Sequence, residues 1–459
     1  MRCRGIIIGG GAAGLMAAVT AAKEGADITL LEHMPRVGKK LLATGNGRCN
    51  LSNEKISSEC WRCSQEGFPM QVIGKFPLED TLRFFRSLGV WTRSRGGYLY
   101  PASGQAQTVL DALRERVEEL GIQVVCECRV DRVEPPDRTD GENVRAVSRT
   151  AEDGVRPTSR DKAQNGIPSA SRLAGRNRRF LVRTSRGDFF GDFLILAAGS
   201  MAARSTGSDG SGYELARQLG HRIKKPLPAL VQLRCKGDFF RSVAGVRAEA
   251  SVRLYTAGKA GELSTLLAED TGEVQLTDYG LSGIPVFQVS RYAAKALDQN
   301  RRVLAVLDFL PEKTEDELLS LLKEQRTFLA GRRAESFLNG LFHKKLAALF
   351  LKAAQIQPQA KAGALSERAL LRICECVKHA VFEVIATNSF DQAQVCMGGV
   401  QTREIDPNTM ESRLVPGLYL AGEILDVDGI CGGYNLQWAW SSGHVAGASA
   451  VQKARMRPE

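Results

Sequence analysis

Residues 44–53, TGNGRCNLSN, combine residue types that can hold a planar, polar ligand. Glycines let the backbone approach a ligand closely, and asparagine amides can meet alternating donors and acceptors on its edge. Arg48 can balance negative charge, and the thiol of Cys49 could donate a proton. The same composition also suits a turn held by side-chain to backbone hydrogen bonds around a buried thiol. The segment alone therefore leaves both interpretations open.

Further candidate acids lie in two other glycine-containing segments. Cys431 and Tyr434 belong to ICGGYN at residues 430–435, and Tyr279 belongs to TDYGLSGIP at residues 277–285. No flanking base singles out one of them, so Cys49, Cys431 and Tyr434 stand together as candidate catalytic acids. The five histidines and eleven cysteines form no set with metal-ligand spacing, so we expect no metal site.

The elements that would position these groups begin at the N-terminus. An apolar strand over residues 3–8 runs into GGGAAG, and apolar residues then recur at helical spacing before a second strand over residues 27–31. Strand, GxGxxG, helix, strand and acid in this order predict a dinucleotide-binding unit. Gly9 permits the tight turn, Gly11 lets a pyrophosphate approach the backbone, and Gly14 lets the helix and strand pack closely. Glu32, at the end of the second strand, is placed to accept a hydrogen bond from a ribose hydroxyl.

The C-terminal region supplies a second glycine-rich segment. GLYLAGE, residues 417–423, reads as a short strand that ends in a glycine and an acid, and ICGGYN leads into an amphipathic helix over residues 436–451. Two such segments about as far apart in sequence as the chain allows suggest one extended ligand touched by both, and FAD has that length. Glu423 could bind its ribityl chain, and the helix start near Asn435 could stabilise negative charge on the reduced ring.

Bulk properties bound the class of protein. The 459 residues are 43% apolar, and no apolar run approaches the roughly 18 residues that a membrane helix needs. The first residues, MRCRGIIIGGG, lack the apolar region of a signal peptide, so we expect a cytoplasmic protein with free thiols. The net charge of +11 would favour polyanions, although a solvated basic surface is the more common explanation of charge alone.

Six blocks in a fixed order resemble the BaiN/RdsA-like flavoproteins, a branch of the glutathione-reductase-like FAD enzymes. They are GGGAAGL, TGNGRCNLSN, ILAAGS at 195–200, TGSDGSGY at 206–213, TDYGLSGIP, and the long block at 410–447. The resemblance covers almost the whole chain. It implies an α/β fold with a discontinuous, glutathione-reductase-type Rossmann-like FAD-binding domain, and an insert made of a β-rich and a helical subdomain. The chain departs from the family in ILAAGS, where an ATGG ending is commoner, and in Met397, where a small residue is usual.

The resemblance also implies which residues contact non-covalently bound FAD. Asn46, Gly47, Arg48 and Cys49 would lie beside the flavin, and Glu423, Gly433, Asn435 and Leu436 would surround the ribityl chain and ring. Val130 occupies the position at which the backbone of this fold contacts the adenine. The remaining members of the expected cofactor site are Ala12, Ala13, Lys40, Gly45, Ala198, Gly199, Gly422 and Gly432.

The domain organisation expected from these patterns has four segments. Residues 1–200 form the first part of the FAD domain, residues 201–310 the β-rich insert, residues 311–380 the helical insert, and residues 381–459 the C-terminal part of the FAD domain. Within the first, residues 124–133 read as one strand, and residues 135–179 are too rich in charge, Pro, Gly and Ser to bury a core, which predicts a mobile surface insertion. Its arginines could contact RNA, although such a run is more often only solvated.

The family substrates share a carbon–carbon double bond conjugated to a carbonyl, in bile-acid intermediates or in a uridine of ribosomal RNA. A flavin-dependent reductase of a small molecule is our first hypothesis, and a dihydrouridine synthase acting on large-subunit ribosomal RNA is the second. An amine oxidase and a non-catalytic flavin-binding protein remain further alternatives. No second GxGxxG follows a strand, so NADH or NADPH, the candidate electron donor, would have to dock over the flavin or be replaced by another reductant.

Overall fold

A computed structural model describes residues 2–137, 179–258 and 261–456. Most of the predicted insertion, residues 138–178, therefore lies outside the described residues. The secondary structure divides into a Rossmann-type unit, built from both ends of the chain, and a unit formed by the middle of the chain.

The N-terminal segment supplies most of the first unit. Its elements are β1 (Arg4–Ile8), α1 (Ala12–Lys23), β2 (Asp27–Leu31), α2 (Lys39–Ala43), β3 (Ser52–Asn53), β4 (Trp61–Cys63), α3 (Phe68–Ile73), α4 (Leu78–Ser87), β5 (Thr92–Arg95), β6 (Tyr98–Pro101), α5 (Ala106–Glu119), β7 (Gln123–Val125), β8 (Val130–Glu134), β9 (Phe180–Thr184), β10 (Gly187–Gly191), β11 (Phe193–Leu196), α6 (Ser211–Gln218) and β12 (Ile223–Ala229).

The middle of the chain forms the second unit. Its elements are β13 (Leu233–Cys235), α7 (Phe240–Val243), β14 (Arg247–Ala257), β15 (Leu263–Leu276), β16 (Gly280–Gly283), α8 (Ile284–Asp298), β17 (Val303–Asp308), α9 (Glu315–Phe328), α10 (Lys344–Ala353), α11 (Glu367–Lys378) and β18 (Ala380–Thr387). The chain then returns through β19 (Val395–Val400), β20 (Leu418–Leu420), β21 (Val427–Gly429) and α12 (Tyr434–Met456).

A five-stranded parallel sheet is the centre of the Rossmann-type unit. Its strand order is β20-β11-β1-β2-β7, so the last strand to enter comes from the C-terminal segment. Parallel strands covered on both faces must be apolar along their whole length, and β11 with its sequence FLIL is buried at every position. The expected α/β Rossmann-type fold is thus confirmed.

The single strand predicted over residues 124–133 is wrong. Glu127 takes a left-handed backbone conformation (φ 51°), which breaks the strand in two. β7 pairs with β2 in the parallel sheet, whereas β8 pairs with β9 in a separate antiparallel sheet. Val130 therefore begins a new strand.

Helix α12 packs closely on α1 because both helices carry small residues at their contact. A Cβ atom on Gly443 would lie 2.4 Å from the carbonyl oxygen of Ala13, and one on Gly447 would lie 2.6 Å from that of Ala17. Distances below 3 Å leave no space for a side chain. The last helix is therefore seated directly on the helix that follows the first glycine turn.

The middle of the chain forms a closed barrel with strand order β13-β16-β15-β14-β17-β18. α8, which sequence patterns did not separate from the surrounding strands, and the three helices α9 to α11 share its hydrophobic core. α9 begins at a capping box, in which Thr314 accepts from the backbone of Glu317 and Glu317 accepts from that of Thr314.

Two antiparallel strands, β12 and β19, lie between the Rossmann-type unit and the barrel. Residues Tyr213, Leu215 and Ala216 of α6 pack into the core of the Rossmann-type unit, and β18 completes the barrel. We therefore place the inserted unit between the end of β12 and the start of β19, from about residue 230 to about residue 388. The sequence-based boundaries were 201 and 380.

Candidate functional site

The turn between β1 and α1 is shaped by its glycines. Gly9 has a positive φ of 104°, and a Cβ atom there would lie 2.5 Å from the carbonyl oxygen of Ala197. A Cβ on Gly14 would lie 1.9 Å from the carbonyl oxygen of Gly9, so this glycine lets α1 contact the turn itself. A Cβ on Gly11 would meet nothing within 4 Å. The turn therefore presents the N-terminus of α1 to open space.

Glu32, at the end of β2, stabilises this turn through hydrogen bonds to the backbone. Its side chain is buried, and its two oxygens accept hydrogen bonds from the backbone N–H groups of Gly10 and Met34, both at 2.8 Å. Because a carboxylate offers about four acceptor positions, these two bonds leave capacity for a ligand hydroxyl.

A cavity of about 1060 Å³ extends from the glycine turn to the strands of the barrel. Most of the residues expected at the cofactor site line it. They are Gly9, Gly11, Ala12, Ala13, Glu32, Lys40, Gly45, Asn46, Arg48, Val130, Ala198, Gly199, Gly422, Glu423, Gly432, Gly433, Asn435 and Leu436, together with the candidate acid Cys431. The structure thus brings together segments separated by almost the whole chain.

Lys40 and Glu423 form an ion pair on the cavity wall. Lys40 Nζ lies 2.6 Å from Glu423 Oε2, and Ser200 Oγ donates to the same oxygen at 3.0 Å. Both partners are about four-fifths buried. The pair joins α2 to the turn after β20, and it places a carboxylate midway along the cavity.

The segment TGNGRCN forms a tight turn with an unusual backbone. Gly45, Asn46, Gly47 and Cys49 all have positive φ values, between 54° and 82°. Such a run is costly for residues with side chains and persists only when the surroundings enforce it. Thr44, Gly45, Asn46 and Arg48 line the cavity.

Cys49 is placed differently from its neighbours. Its side chain is completely buried and does not line the cavity, although the Cys49 N–H donates to the carbonyl of Thr44 at 3.0 Å. Burial raises the pKa of the Cys49 thiol to about 12, opposed by a hydrogen bond with Thr44. The thiol packs behind the turn, so the structure does not bring it to the ligand side.

Tyr434 also points away from the cavity. Its ring meets the Trp61 ring edge-on, with 5.5 Å between centroids. Burial and the neighbouring thiol of Cys60 raise the pKa of the Tyr434 phenol. Gly14 and Gly47 are likewise absent from the cavity lining, Gly14 because it serves the contact between helix and strand.

Of the three candidate acids, Cys431 alone lines the cavity. Its backbone N–H donates to Gln288 Oε1 of α8 at 2.9 Å, which ties the segment to the barrel. Burial, and then the charge of Asp270, raise the pKa of the Cys431 thiol to about 12.

The Asn435 side chain braces the start of α12. Its Oδ1 accepts from the Gly429 N–H at 2.8 Å, and its Nδ2 donates to the Gly429 carbonyl at 3.0 Å. Behind it, Trp438 donates to the carbonyl of Gly422, and Trp440 donates to that of Leu51. The helix therefore fixes the turn at Gly422 and the segment after TGNGRC together.

A second link joins the Rossmann-type unit to the barrel. Arg291 of α8 makes a two-point ion pair with Asp428 of β21, with distances of 2.9 and 3.0 Å. Asp428 is almost completely buried, and burial raises its pKa to about 6, although Arg291 opposes the shift. This pair and the Gln288 contact hold the barrel over the open side of the cavity.

Sequence patterns missed several residues of the cavity wall. Tyr98 and Tyr100 line it on the Rossmann side, and Leu230, Gln232, Ile284 and Phe287 line it on the barrel side. The alternation in GGYLYP could have placed both tyrosines on one face of a strand. The residues from the barrel follow from tertiary folding, and no local signal marks Leu230 or Gln232.

FAD fits this wall on two observations. The open space in front of Gly11 and the N-terminus of α1 suit a pyrophosphate group, since amide donors and the helix dipole favour an anion there. At the other end, the buried Oδ1 of Asn50 has no hydrogen-bond partner among the described residues, although buried acceptors normally have one. A ligand donor at the edge of a ring would satisfy it.

Within residues 2–137, 179–258 and 261–456, no cluster of His, Cys, Asp and Glu has the geometry to hold a metal ion. In the same residues, no helix combines the length and the apolarity required to cross a bilayer.

A family model described as the HI0933-like protein Rossmann domain matches residues 3–156 and 161–449. Among curated relatives, a 3-dehydro-bile acid delta(4,6)-reductase of Clostridium scindens is 39% identical over 97% of this chain and 98% of its own length. A ribosomal RNA dihydrouridine synthase of Haemophilus influenzae is 26% identical over 97% of both chains. The corresponding synthase of Escherichia coli is 26% identical over 95% of both chains.

Proposed function

This chain belongs to the HI0933-like Rossmann family and is an FAD-dependent oxidoreductase, and we propose that it reduces a carbon–carbon double bond conjugated to a carbonyl group in a small molecule. The reductase of Clostridium scindens, with 39% identity along nearly its full length, is named for such a substrate.

The observation that carries the proposal is the extension of the cavity beyond the cofactor cradle. Past the turn at Gly45, the wall includes Tyr98, Tyr100, Leu230, Ile284 and Phe287, beside polar barrel residues such as Gln232, Arg247 and Gln275. Aromatic and aliphatic side chains around a few polar groups are typical of sites for small apolar ligands. A flat, largely apolar enone would be bound here between the two units.

The residues of the chain have separate tasks in this reaction. When bound, FAD supplies a hydride for the β carbon of the conjugated bond. The backbone around Gly11 would bind the pyrophosphate, Glu32 the ribose, and Glu423 the ribityl chain. The Arg291–Asp428 pair would keep the barrel closed over the cavity and so exclude water from the reacting bond.

NADH or NADPH is the proposed electron donor, and it would approach the cavity from the side of the barrel. The described residues contain one Rossmann-type sheet, whose glycine turn is assigned to FAD. The eleven free cysteines suit a reducing compartment, which supports a cytoplasmic location.

The test is an anaerobic half-reaction experiment on the purified holoenzyme. We expect NADH or NADPH to bleach the bound flavin, and a 3-oxo steroid acid with conjugated double bonds to restore its colour in stoichiometric amount. Bleaching without reoxidation by any enone would overturn the proposal, and failure of any donor to bleach the flavin would favour a non-catalytic flavin-binding protein.

Reduction of a uridine in ribosomal RNA is the second candidate. It is supported by the two synthases at 26% identity, by the net charge of +11, and by Arg36, Lys39 and Arg129 on the cavity wall. Reoxidation of the bleached flavin by ribosomal RNA, with an affinity that falls steeply with salt, would favour it over the first.

A further inference from the structure

Strand β6 presents two tyrosines to the cavity. Tyr98 and Tyr100 line the cavity, whereas the intervening Leu99 and the following Pro101 are buried on the opposite face. Alternation along a strand sends residues i and i+2 to the same side, which explains the pair. In the part of the chain that the structure describes, no hydrogen bond contributes to the shifted pKa of the Tyr98 hydroxyl, which burial and nearby charges raise.

The two rings lie at different parts of the wall. A Cβ atom on Gly432 would lie 2.8 Å from Cε1 of Tyr98, so that ring packs on the turn before α12. A Cβ atom on Gly45 would lie 3.6 Å from Cε1 of Tyr100, so that ring packs on the turn of TGNGRC. Tyr98 is therefore the tyrosine beside the turn that contains Cys431.

Tyr98 also belongs to a group of acids drawn from both units. Burial raises its pKa, and the charges of Cys431, Tyr100 and Asp270 raise it further. Asp270 lies on barrel strand β15, next to Thr271, which lines the cavity, and Asp270 Oδ1 accepts from the Thr271 N–H at 2.9 Å. Burial raises the pKa of Asp270 as well. This environment keeps the phenol in its neutral form, which retains the proton.

We propose that Tyr98 is the catalytic proton donor of the reaction. The inference rests on the proposed function. When the β carbon receives its hydride, the electrons of the double bond move to the carbonyl oxygen. The O–H bond of Tyr98 then breaks, a C–H bond forms at the α carbon, and the carbonyl is restored. The phenolate recovers its proton from water.

The geometry favours Tyr98 over the acids that the sequence suggested. Cys49 and Tyr434 do not line the cavity, and Cys49 is completely buried. Cys431 does line it, but burial raises the pKa of its thiol to about 12, and the thiol is held in a turn fixed by Gln288. The phenol of Tyr98 combines access to the cavity with an environment that keeps it protonated.

The kinetic test compares Tyr98→Phe with two other tyrosine substitutions in the holoenzyme. We expect Tyr98→Phe to slow reoxidation of the reduced flavin by the substrate by about 10²–10⁴-fold, with reduction by the donor unaffected. Tyr100→Phe removes a hydroxyl from the same strand face and should slow reoxidation by less than about tenfold. Tyr255→Phe, on barrel strand β14, removes a hydroxyl outside the cavity lining and is the control for a tyrosine to phenylalanine change as such. Equal rates for Tyr98→Phe and wild type would overturn the proposal, and so would a large loss in Cys431→Ala alone.

A spectroscopic readout does not depend on turnover. In oxidised holoenzyme labelled with ¹³Cζ-tyrosine, the signal that disappears in Tyr98→Phe should titrate above the range of an ordinary tyrosine. Asp270→Asn should lower that titration point, because the substitution removes a negative charge that opposes ionisation. A Tyr98 signal that titrates like an ordinary tyrosine, or that is unchanged in Asp270→Asn, would contradict the environment described for this phenol.

The two levels of inference fail separately. If wild type reduces neither an enone nor ribosomal RNA, the proposed function itself is overturned. If wild type reduces one of them and Tyr98→Phe does so equally fast, only the assignment of Tyr98 fails. Either substrate can be used, since both place the reacting bond beside a carbonyl.

Discussion

Lys40 Nζ and Glu423 Oε2 lie 2.6 Å apart although their residues are 383 positions apart in the chain. The ion pair therefore directly links the N-terminal and C-terminal segments that form the cofactor cavity. It is only about one-fifth exposed, so the loss of one partner leaves a poorly solvated charge on the wall.

Glu423→Gln should weaken FAD binding by about 1–3 kcal/mol, or roughly 5- to 150-fold. The substitution replaces one carboxylate oxygen, an acceptor for ribityl hydroxyls, by an amide donor and leaves Lys40 without its anionic partner. Titration of deflavinated protein with FAD, followed by flavin fluorescence, measures the effect. Glu54→Gln, at an exposed carboxylate, is the matched control, and equal affinities for the two variants would contradict the assignment.

Substitutions of two glycines of the same motif should have different effects, one on FAD affinity and the other on stability. Gly11→Val would place its side chain in the open space of the cavity, so we expect a stable apo-protein whose FAD affinity falls on the order of 100-fold. Gly14→Ala would bring a Cβ to 1.9 Å from the Gly9 carbonyl oxygen, so we expect a loss of about 2–4 kcal/mol in the free energy of unfolding. Urea unfolding of both apo-proteins, beside FAD titration, separates the two effects. A folding defect in Gly11→Val as large as that of Gly14→Ala would be inconsistent with the geometry.

Cys49→Ala should leave turnover within about twofold of wild type, because its thiol lies behind the turn and holds its proton at neutral pH. The substitution should cost about 1–2 kcal/mol of stability through lost packing. Steady-state rates and thermal unfolding measure the two quantities. Rapid alkylation of Cys49 in native protein, identified by peptide mapping, would show that the thiol is more accessible than the structure has it.

Asp428 should make stability depend on pH. Its pKa of about 6 in the folded protein exceeds the value of 3.8 for an unperturbed aspartate, so the folded state binds the proton more tightly. Its contribution to the free energy of unfolding therefore falls as the pH rises from about 4 to about 6, and it is constant above that range. Arg291→Met should raise the pKa further and cost about 3–5 kcal/mol, because the buried carboxylate loses its partner. Urea unfolding across this range of pH, with the double variant Arg291→Met, Asp428→Asn expected to recover part of the loss, provides the check.

A buried array of Ser412, His221 and Glu404 should act on stability and not on catalysis. His221 Nδ1 lies 3.0 Å from Glu404 Oε2, and Ser412 Oγ lies 2.9 Å from His221 Nε2, but all three are remote from the cavity lining. Burial lowers the pKa of His221, although Glu404 opposes the shift. Stability should fall as the pH drops below about 6.5, where the unfolded state takes up the proton more readily. His221→Gln should reduce this slope and leave turnover intact; a loss of turnover in a stable variant would assign the array a role in the reaction.

The Rossmann-type half of the fold could be predicted because its constraints are local. Gly9, Gly11, Gly14 and Glu32 mark one turn between two strands, and their spacing indicates both the backbone shape and the kind of ligand. The run from Asn46 to Cys49 likewise signals a backbone that needs special residues. Its residue types do not show which side each side chain takes, and so the sequence placed Cys49 beside the ligand whereas the structure buries it.

The wall formed by the barrel could not be predicted in the same way. Ile284 and Phe287 come from α8 and Leu230 from the segment after β12, and α8 is tied to β21 through Arg291 and Asp428. Long-range pairing of this kind leaves no periodic mark in the sequence. Tyr98 is an intermediate case, since alternation predicts its face but not what lies opposite.

The seating of α12 on α1 has a consequence for biosynthesis. The turn at Gly422 and the helix that holds it are synthesised long after the glycine turn on which they close. A nascent chain would thus hold only half of the nucleotide-binding site until α12 has emerged from the ribosome. Acquisition of the coenzyme must therefore follow synthesis of this helix.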